Sequence, residues 1–233
     1  MSQRPAKAAP ARLTPARARR ESRRRKRLRT EEILGRLTEE YPDADCALIH
    51  DNPFQLLAAT ILSAQCTDKR VNMVTPELFA RFPTPAAMAA ADLQELEELI
   101  RTTGFFRNKA RSLKGLGQAL VADHAAQVPS TMAELHALPG VGRKTANVVL
   151  GNAFGIDEGV VVDTHVQRLS GLLGLTVQKT PEKIELDLID LVPRDHWTLW
   201  SHLLILHGRS VCKARRPLCD RCVLLDLCPS AAT

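Results

Sequence analysis

Four cysteines near the end of the chain are spaced closely enough to bind one metal centre. They follow the pattern C-x6-C-x2-C-x5-C and are Cys212, Cys219, Cys222 and Cys228. The first residues include no apolar stretch of the kind found in secretory signals, so we expect reduced thiols rather than disulfides. Four thiolates can hold structural zinc or an iron–sulfur cluster, and the spacing leaves both open. The single C-x2-C pair favours the cluster, because four-cysteine zinc sites usually have two close pairs.

A glycine-rich turn followed by two basic residues predicts a phosphate-binding site. The segment LPGVGRK, residues 138–144, stands between two helical stretches. Pro139 ends the first helix, the glycines permit positive φ angles, and the next helix begins with free N–H groups. A plain helix–helix turn is the alternative, but the basic pair at 143–144 favours contact with a DNA phosphate. The residues expected to make this contact are Gly140, Val141, Gly142 and Arg143.

Most of the positive charge lies in the first 29 residues. They contain twelve Lys or Arg and one acid, Glu21, whereas the remaining 204 residues have a net charge of −5. Residues 1–29 are predicted to be a disordered basic tail, either a nucleic-acid-binding arm or an organelle transit peptide. Three basic clusters stand out in the remainder, at residues 101–114, 143–144 and 213–221. Solvated faces are the alternative, but the clusters together favour a surface that binds a polyanion.

The elements that must position these residues are predicted to be helices throughout. Apolar residues recur at helical spacing after the capping residues Asn52, Asp92 and Thr131. Asp163 stands directly before another helical stretch and is expected to cap it. Only residues 159–162 have strand character, and one short strand has no partner, so the fold class is all-α. No segment is long and apolar enough to cross a bilayer.

These motifs, taken in order, resemble the endonuclease III family of DNA glycosylases. Residues 138–144 look like its helix-hairpin-helix, and GVVVDTHV at 159–166 resembles its catalytic aspartate segment. LSAQCTD at 62–68 resembles a block near its base pocket, and the four cysteines match its [4Fe–4S] motif in every spacing. The match runs from about residue 30 to residue 228. It implies one [4Fe–4S] cluster held by Cys212, Cys219, Cys222 and Cys228.

The resemblance implies two helical lobes with a cleft between them for DNA. A six-helix barrel with the helix-hairpin-helix is expected at residues 46–157. An iron–sulfur cluster lobe is expected to combine residues 30–45 with residues 158–233.

The implied activity is that of a bifunctional DNA glycosylase and AP lyase, which excises oxidised or ring-damaged pyrimidines from duplex DNA. Lys144 is the expected nucleophile, forming a Schiff base with the sugar before β-elimination, and Asp163 is the assisting carboxylate. A phosphate contact is the alternative role of Lys144. To attack, its amine must be uncharged, so we expect burial and the neighbouring Arg143 to disfavour the ammonium form.

Three further residues are implied to contact DNA. Gln65 and Phe105 are expected to enter the gap left by the extruded nucleotide, and His165 is expected to line the base pocket. The alternatives are a core aromatic for Phe105 and a structural role for His165.

The expected partner is double-stranded DNA containing damaged bases or abasic sites, bound by a monomer, with no membrane. The expected compartment is the cytoplasm, at the nucleoid, for a bacterial protein, and the nucleus or mitochondrion for a eukaryotic one. One rival is an adenine-mismatch glycosylase of the same superfamily, which uses a glutamate in the early helix and lacks the hairpin lysine; this chain has Gln65 and Lys144. The other is a non-catalytic iron–sulfur DNA-binding protein.

Overall fold

Residues 13–231 are described by a computed structural model, and all their regular secondary structure is helical. The α-helices are α1 (Pro15–Arg19), α2 (Arg23–Glu40), α3 (Pro53–Leu62), α4 (Asp68–Arg81), α5 (Pro85–Ala90), α6 (Leu93–Leu99), α7 (Phe106–Asp123), α8 (Met132–Ala137), α9 (Arg143–Phe154), α10 (Thr164–Leu172), α11 (Pro181–Leu191) and α12 (Trp197–Ser210). Three 3₁₀ turns lie at Arg101–Thr103, Arg194–His196 and Cys219–Arg221. The prediction of an all-α fold is confirmed, and residues 159–162 form no strand. Within residues 13–231, no helix is long and apolar enough to cross a membrane.

Several helices begin where the sequence predicts a capping residue. Asn52 caps α3 through its side chain. Thr131 and Glu134 form the predicted capping box, in which the Glu134 N–H donates to Thr131 Oγ1 at 3.3 Å. Asp163 caps α10, because its Oδ1 accepts from the Val166 N–H at 2.8 Å. Each cap satisfies an amide that the first turn of a helix leaves without a backbone partner.

One compact unit comprises Asp45–Gly159 and contains α3–α9. Eight of the ten residues of α3 are buried, so this helix forms the centre of the unit, in contact with α4, α7 and α9. A helix that is apolar on all sides is stable only inside a core, since no face of it suits water. The core is largely aliphatic, with Phe54 and Phe82 as its fully buried aromatic residues. The other helices of the unit are therefore arranged around α3.

The second compact unit is discontinuous in sequence. It combines the chain up to Ala44 with the chain from Val160 onward. Its core surrounds Trp200 on α12 and includes Ile33 and Leu37 of α2. The division expected from the resemblance is residues 46–157 for one lobe and 30–45 with 158–233 for the other, and it stays a prediction.

The structure differs from the expected disordered tail over residues 13–29, which form α1 and the first part of α2. Arg29 is buried and forms an ion pair with Glu21 at 2.7 Å, and its Nη1 donates to the Leu173 carbonyl at 2.8 Å. Composition predicted disorder because it counts charges without their contacts, and the Leu173 carbonyl that Arg29 binds is distant in sequence. Residues 1–12, the rest of the expected tail, lie outside the described residues.

The buried ion pair gives a test of the N-terminal helices. Replacing Arg29 with Met leaves the Glu21 carboxylate, whose side chain is 10% exposed, without its guanidinium partner. Removing one member of a buried pair costs about 3–5 kcal/mol. We expect Arg29→Met to lower the free energy of unfolding by about that amount, measured by urea denaturation. Arg24→Ala, at an exposed position of the same helix, is the control and should match the parent. Equal midpoints for Arg29→Met and the parent would show that these helices contribute nothing to stability.

Candidate functional site

The turn between α8 and α9 is fixed against α7 by the absence of a side chain at Gly140. Gly140 has φ +78°, and a Cβ there would lie 2.8 Å from Cβ of Ser112 on α7. The Val141 N–H donates to the Leu138 carbonyl at 3.1 Å, and the Val141 side chain is buried in the core. Only glycine fits a position that combines a left-handed conformation with so close an approach. The predicted helix-hairpin-helix is therefore a tightly specified turn.

The helix that follows this turn presents its first residues to solvent. Gly142 precedes α9 with φ −89°, and no capping side chain bonds to the first amides of the helix. Arg143 and Lys144 lie in the exposed first turn. Lys144 is therefore exposed, which differs from the burial expected for it.

Two predicted DNA-contacting residues lie in strained loops of the same unit. Gln65 has φ +53° and Phe105 has φ +48°, and both side chains are exposed, Phe105 by 63%. Left-handed backbone conformations cost a residue other than glycine about 1–3 kcal/mol, and such strain is concentrated at functional sites. The exposed position of Phe105 excludes its alternative role as a core aromatic.

A buried lysine that sequence reasoning did not single out connects these two loops. Lys109 on α7 is 5% exposed, and its Nζ donates to the carbonyls of Leu62 and Thr103, each at 2.8 Å. Burial lowers the pKa of Lys109, and the nearby Cys66 thiol opposes this shift. Helical spacing offered a signal of this burial, because Lys109 shares the apolar face of α7 with Leu113. Its charge instead placed it in the predicted basic cluster.

The basic cluster at residues 101–114 is consequently weaker than predicted. Lys109 and Lys114 both donate to backbone carbonyls. Arg101 and Arg107 each lie within 4 Å of a glutamate. In the described part of the chain, Arg111 is exposed and forms neither a hydrogen bond nor an ion pair. The other two clusters differ, since all their Lys and Arg side chains are exposed.

The predicted aspartate lies at the start of α10 in the discontinuous unit. One of its oxygens is used by the cap of α10, as described above. His165 follows in the first turn, and its ring packs against α12, where a Cβ at Gly208 would lie 2.7 Å from Nδ1. Arg168, one turn further along, donates to the Cys212 carbonyl at 2.6 Å. The helix that carries Asp163 is therefore bonded directly to the first of the four cysteines.

The four thiols at the C-terminal end of this unit influence one another electrostatically. Burial raises the pKa of Cys222 to about 11 and also raises the pKa of Cys212 and Cys228, and neighbouring thiolates of the set raise each of them further. Within the described residues, no three His, Cys, Asp or Glu side chains stand close enough to hold a single metal ion. Cys212, Cys219, Cys222 and Cys228 are the thiols that this end of the unit offers to an inorganic group.

Comparison with known proteins identifies the family. Residues 58–194 match the family model described as HhH-GPD superfamily base excision DNA repair protein. Residues 212–228 match the iron-sulfur binding domain of endonuclease III. The chain is 56% identical over 206 residues to endonuclease III of Synechocystis sp., which covers 88% of this chain and 94% of that protein. The chain belongs to the endonuclease III family of base excision DNA repair proteins.

Other members of the endonuclease III family agree with this assignment. Endonuclease III of Escherichia coli (strain K12) is 42% identical over 197 residues, covering 84% of this chain and 93% of that protein. Two solved structures match with a TM-score of 0.83 and 43% identity, over 88% of this chain and 96% of theirs. One is a non-covalent endonuclease III–DNA complex, and the other is a trapped endonuclease III–DNA covalent intermediate.

Membership of the endonuclease III family confirms the predicted enzyme class. The chain is a base excision DNA repair enzyme of the DNA glycosylase and AP lyase type, with an iron–sulfur site in residues 212–228. The individual roles predicted for Lys144, Asp163 and the DNA-contacting residues are not tested by these comparisons and stay predictions.

The two glycines of the hairpin should respond differently to the same substitution. Gly140→Ala places a side chain at positive φ and against Ser112, so we expect a loss of about 1–3 kcal/mol in the free energy of unfolding. Gly142→Ala meets no atom within 4 Å and has negative φ, so its stability should equal that of the parent. Urea denaturation of the three proteins measures both effects. Equal stability of Gly140→Ala and the parent would refute the tight fit against α7.

Proposed function

We propose that this chain excises oxidised or ring-damaged pyrimidines from duplex DNA, with Lys144 as the nucleophile and Asp163 as its partner carboxylate. The observation that carries the proposal is an exposed amine in the first turn of α9, beside a helix terminus without a side-chain cap. An amine in this place can reach a ligand whose phosphate is bound by the amides of the same turn.

The proposed chemistry explains why a lysine is needed instead of a water molecule. Nζ, in its uncharged form, attacks C1′ of the extruded nucleotide, and the bond from C1′ to the base breaks. The departing base takes up the proton that the nitrogen releases on forming its new bond. Opening of the sugar ring at O4′ converts the adduct into an iminium ion. The iminium acidifies C2′, a proton leaves that carbon, and the 3′ phosphate departs by β-elimination. Water supplied in place of the lysine would release the base without cutting the strand.

Asp163 is suited to assist because the cap of α10 fixes its position. The bond from Val166 N–H holds one carboxylate oxygen. The other oxygen is available to stabilise positive charge that develops on the sugar and to take up a proton. A carboxylate held in this way needs no rearrangement during the reaction.

Binding of the DNA backbone is assigned to the hairpin and to the exposed cations of the cysteine loop. Gly140, Val141, Gly142 and Arg143 are proposed to hold a phosphate near the lesion. Lys213, Arg215, Arg216 and Arg221 are exposed and are proposed to contact the backbone elsewhere. Gln65 and Phe105 are proposed to fill the gap in the duplex, because both are exposed at the tips of strained loops. His165 is proposed to border the base pocket.

The iron–sulfur site is proposed to hold one [4Fe–4S] cluster through Cys212, Cys219, Cys222 and Cys228. The sequence spacing, with its single C-x2-C pair, and the match of residues 212–228 to the iron-sulfur binding domain of endonuclease III support this choice over zinc. The cluster would supply structural cross-linking of the loop and no redox step in base excision.

His207 supports this site: it is buried, its Nε2 lies 3.3 Å from Cys222 Sγ, and its Nδ1 lies 3.0 Å from the Tyr41 hydroxyl. Burial lowers the pKa of His207 to about 4, and an imidazole in this position can donate a hydrogen bond through one ring nitrogen.

We propose that the protein acts as a monomer on double-stranded DNA that contains damaged bases or abasic sites. The relatives named above are bacterial, which supports a place in the cytoplasm, at the nucleoid. The sequence disfavours the adenine-mismatch glycosylase. That class uses a glutamate in the early helix and lacks the hairpin lysine, whereas this chain has Gln65 and Lys144.

Trapping with borohydride tests the nucleophile. The parent should form a covalent adduct with DNA containing an abasic site, and Lys144→Ala should form none, because it lacks the amine proposed to make the imine. Arg143→Ala, which removes the neighbouring cation, should still form the adduct at saturating protein. Asp163→Asn keeps a capping side chain, so it should fold like the parent while losing about 10²–10⁴-fold in rate. An adduct that persists in Lys144→Ala would overturn the assignment, and no adduct with the parent would favour a non-catalytic DNA-binding protein.

Metal analysis and visible absorption test the cluster. Purified protein should be brown and contain four iron atoms per chain. Cys222→Ser should lose colour, and Cys46→Ser, at a cysteine outside the set, should keep it. A colourless parent with one zinc ion per chain would contradict the proposal.

A further inference from the structure

We propose that Lys109 is the positioning residue that sets the two loops carrying Gln65 and Phe105. The inference rests on the proposed function, because it assumes that these two side chains fill the gap left by an extruded nucleotide. Lys109 itself is buried and has no direct contact with DNA in this scheme.

The position of the Lys109 ammonium group carries the inference. Its two carbonyl acceptors belong to different elements, α3 and the 3₁₀ turn Arg101–Thr103. Leu62 is the last residue of α3 and lies three residues before Gln65. Thr103 ends the 3₁₀ turn and lies two residues before Phe105. The Lys109 ammonium group therefore bridges the two backbone positions from which the loops begin.

An ammonium group suits this bridge better than a neutral donor. The last carbonyls of α3 have no partner within the helix and carry the negative end of its dipole, so a positive charge there is stabilised. Lysine has three N–H donors, enough to serve both carbonyls at once. Within the described residues Lys109 forms no ion pair, so the hydrogen bonds of its charged group go to the carbonyls that precede the two loops.

The conformations of the loops explain why they need such an anchor. Gln65 and Phe105 both have positive φ, and Phe105 follows Gly104, which has φ +71°. Neither Gln65 nor Phe105 prefers a positive φ, so each of these two conformations persists only while the surrounding structure holds it. Without the bridge, we expect the exposed side chains to lose the fixed directions in which they point.

Lys114 provides a matched control on the same helix. It lies on α7, it is partly buried, and its Nζ donates to the Ala91 carbonyl at 2.9 Å. Ala91 lies between α5 and α6 and adjoins neither of the two loops. A general effect of removing a buried lysine hydrogen bond from α7 should therefore appear in Lys114→Met as well as in Lys109→Met.

The experiment compares two substrates that differ in whether a gap must be filled. The first is a duplex with an oxidised pyrimidine, from which excision requires extrusion of the nucleotide. The second is a single-stranded oligonucleotide with a preformed abasic site, which leaves no gap in a duplex. Lys109→Met keeps a side chain of similar length while removing the charge and the donors.

We expect Lys109→Met to slow excision from the duplex about tenfold or more, as is typical for losing hydrogen bonds of a charged group. Strand cleavage at the single-stranded abasic site should stay at the parental rate. Lys114→Met should be like the parent on both substrates. In a Gln65→Ala, Phe105→Ala background, Lys109→Met should have little further effect, because the side chains that it positions are gone.

Three results would overturn the proposal. They are equal slowing on both substrates, the same slowing in Lys114→Met, and full additivity with the loop substitutions. If Lys109→Met does not accumulate as folded protein, Lys109→Arg, which keeps the charge and moves the donors, is tested instead. We expect it to slow excision from the duplex and to leave strand cleavage at the single-stranded abasic site at the parental rate. A parent that forms no imine adduct would refute the proposed function and is a separate outcome, since it is measured without any change at Lys109.

Discussion

The close contact between Gly140 and Ser112 is the constraint on which the candidate active surface depends. It seats the turn between α8 and α9 directly on α7, while Val141 anchors that turn in the core. The start of α9 then has little freedom, so Lys144 and the amides around it occupy a defined place although they are exposed. The enzyme can thus leave the amine proposed as its nucleophile in solvent and still control its position through the backbone. The same helix, α7, also carries Lys109, which holds the loops of Gln65 and Phe105. A single helix therefore supports both the proposed nucleophile and the residues that are proposed to enter the duplex.

Local features of the structure were predictable from the sequence. The all-α class, the capping box at Thr131 and the cap at Asp163 follow from interactions between residues three or four positions apart. The family resemblance was predictable for a similar reason, because the cysteine spacing and the glycine-rich turn are short patterns with few alternatives.

Features that depend on distant partners were not predictable in the same way. Arg29 looked like one charge among twelve in a tail, but it is buried because Glu21 and the Leu173 carbonyl surround it. Lys109 looked like part of a DNA-binding cluster, but its helical register turns it into the core. The positive φ angles at Gln65 and Phe105 have no local signal, since neither residue prefers them. In each case the tertiary structure overrides what the residue type favours by itself.

The discontinuous unit has a consequence for how the protein is made. Ile33 and Leu37 of α2 have their apolar partners on α10, α11 and α12, and the intervening segment is the whole of the other unit. During translation, α2 therefore leaves the ribosome long before the helices that cover it, whereas Asp45–Gly159 can fold as soon as it has emerged. The unit with the cysteines can close only after Asp45–Gly159 and the segment from Val160 to the cysteines have both been synthesised. The apolar face of α2 therefore needs protection from aggregation until its partner helices emerge.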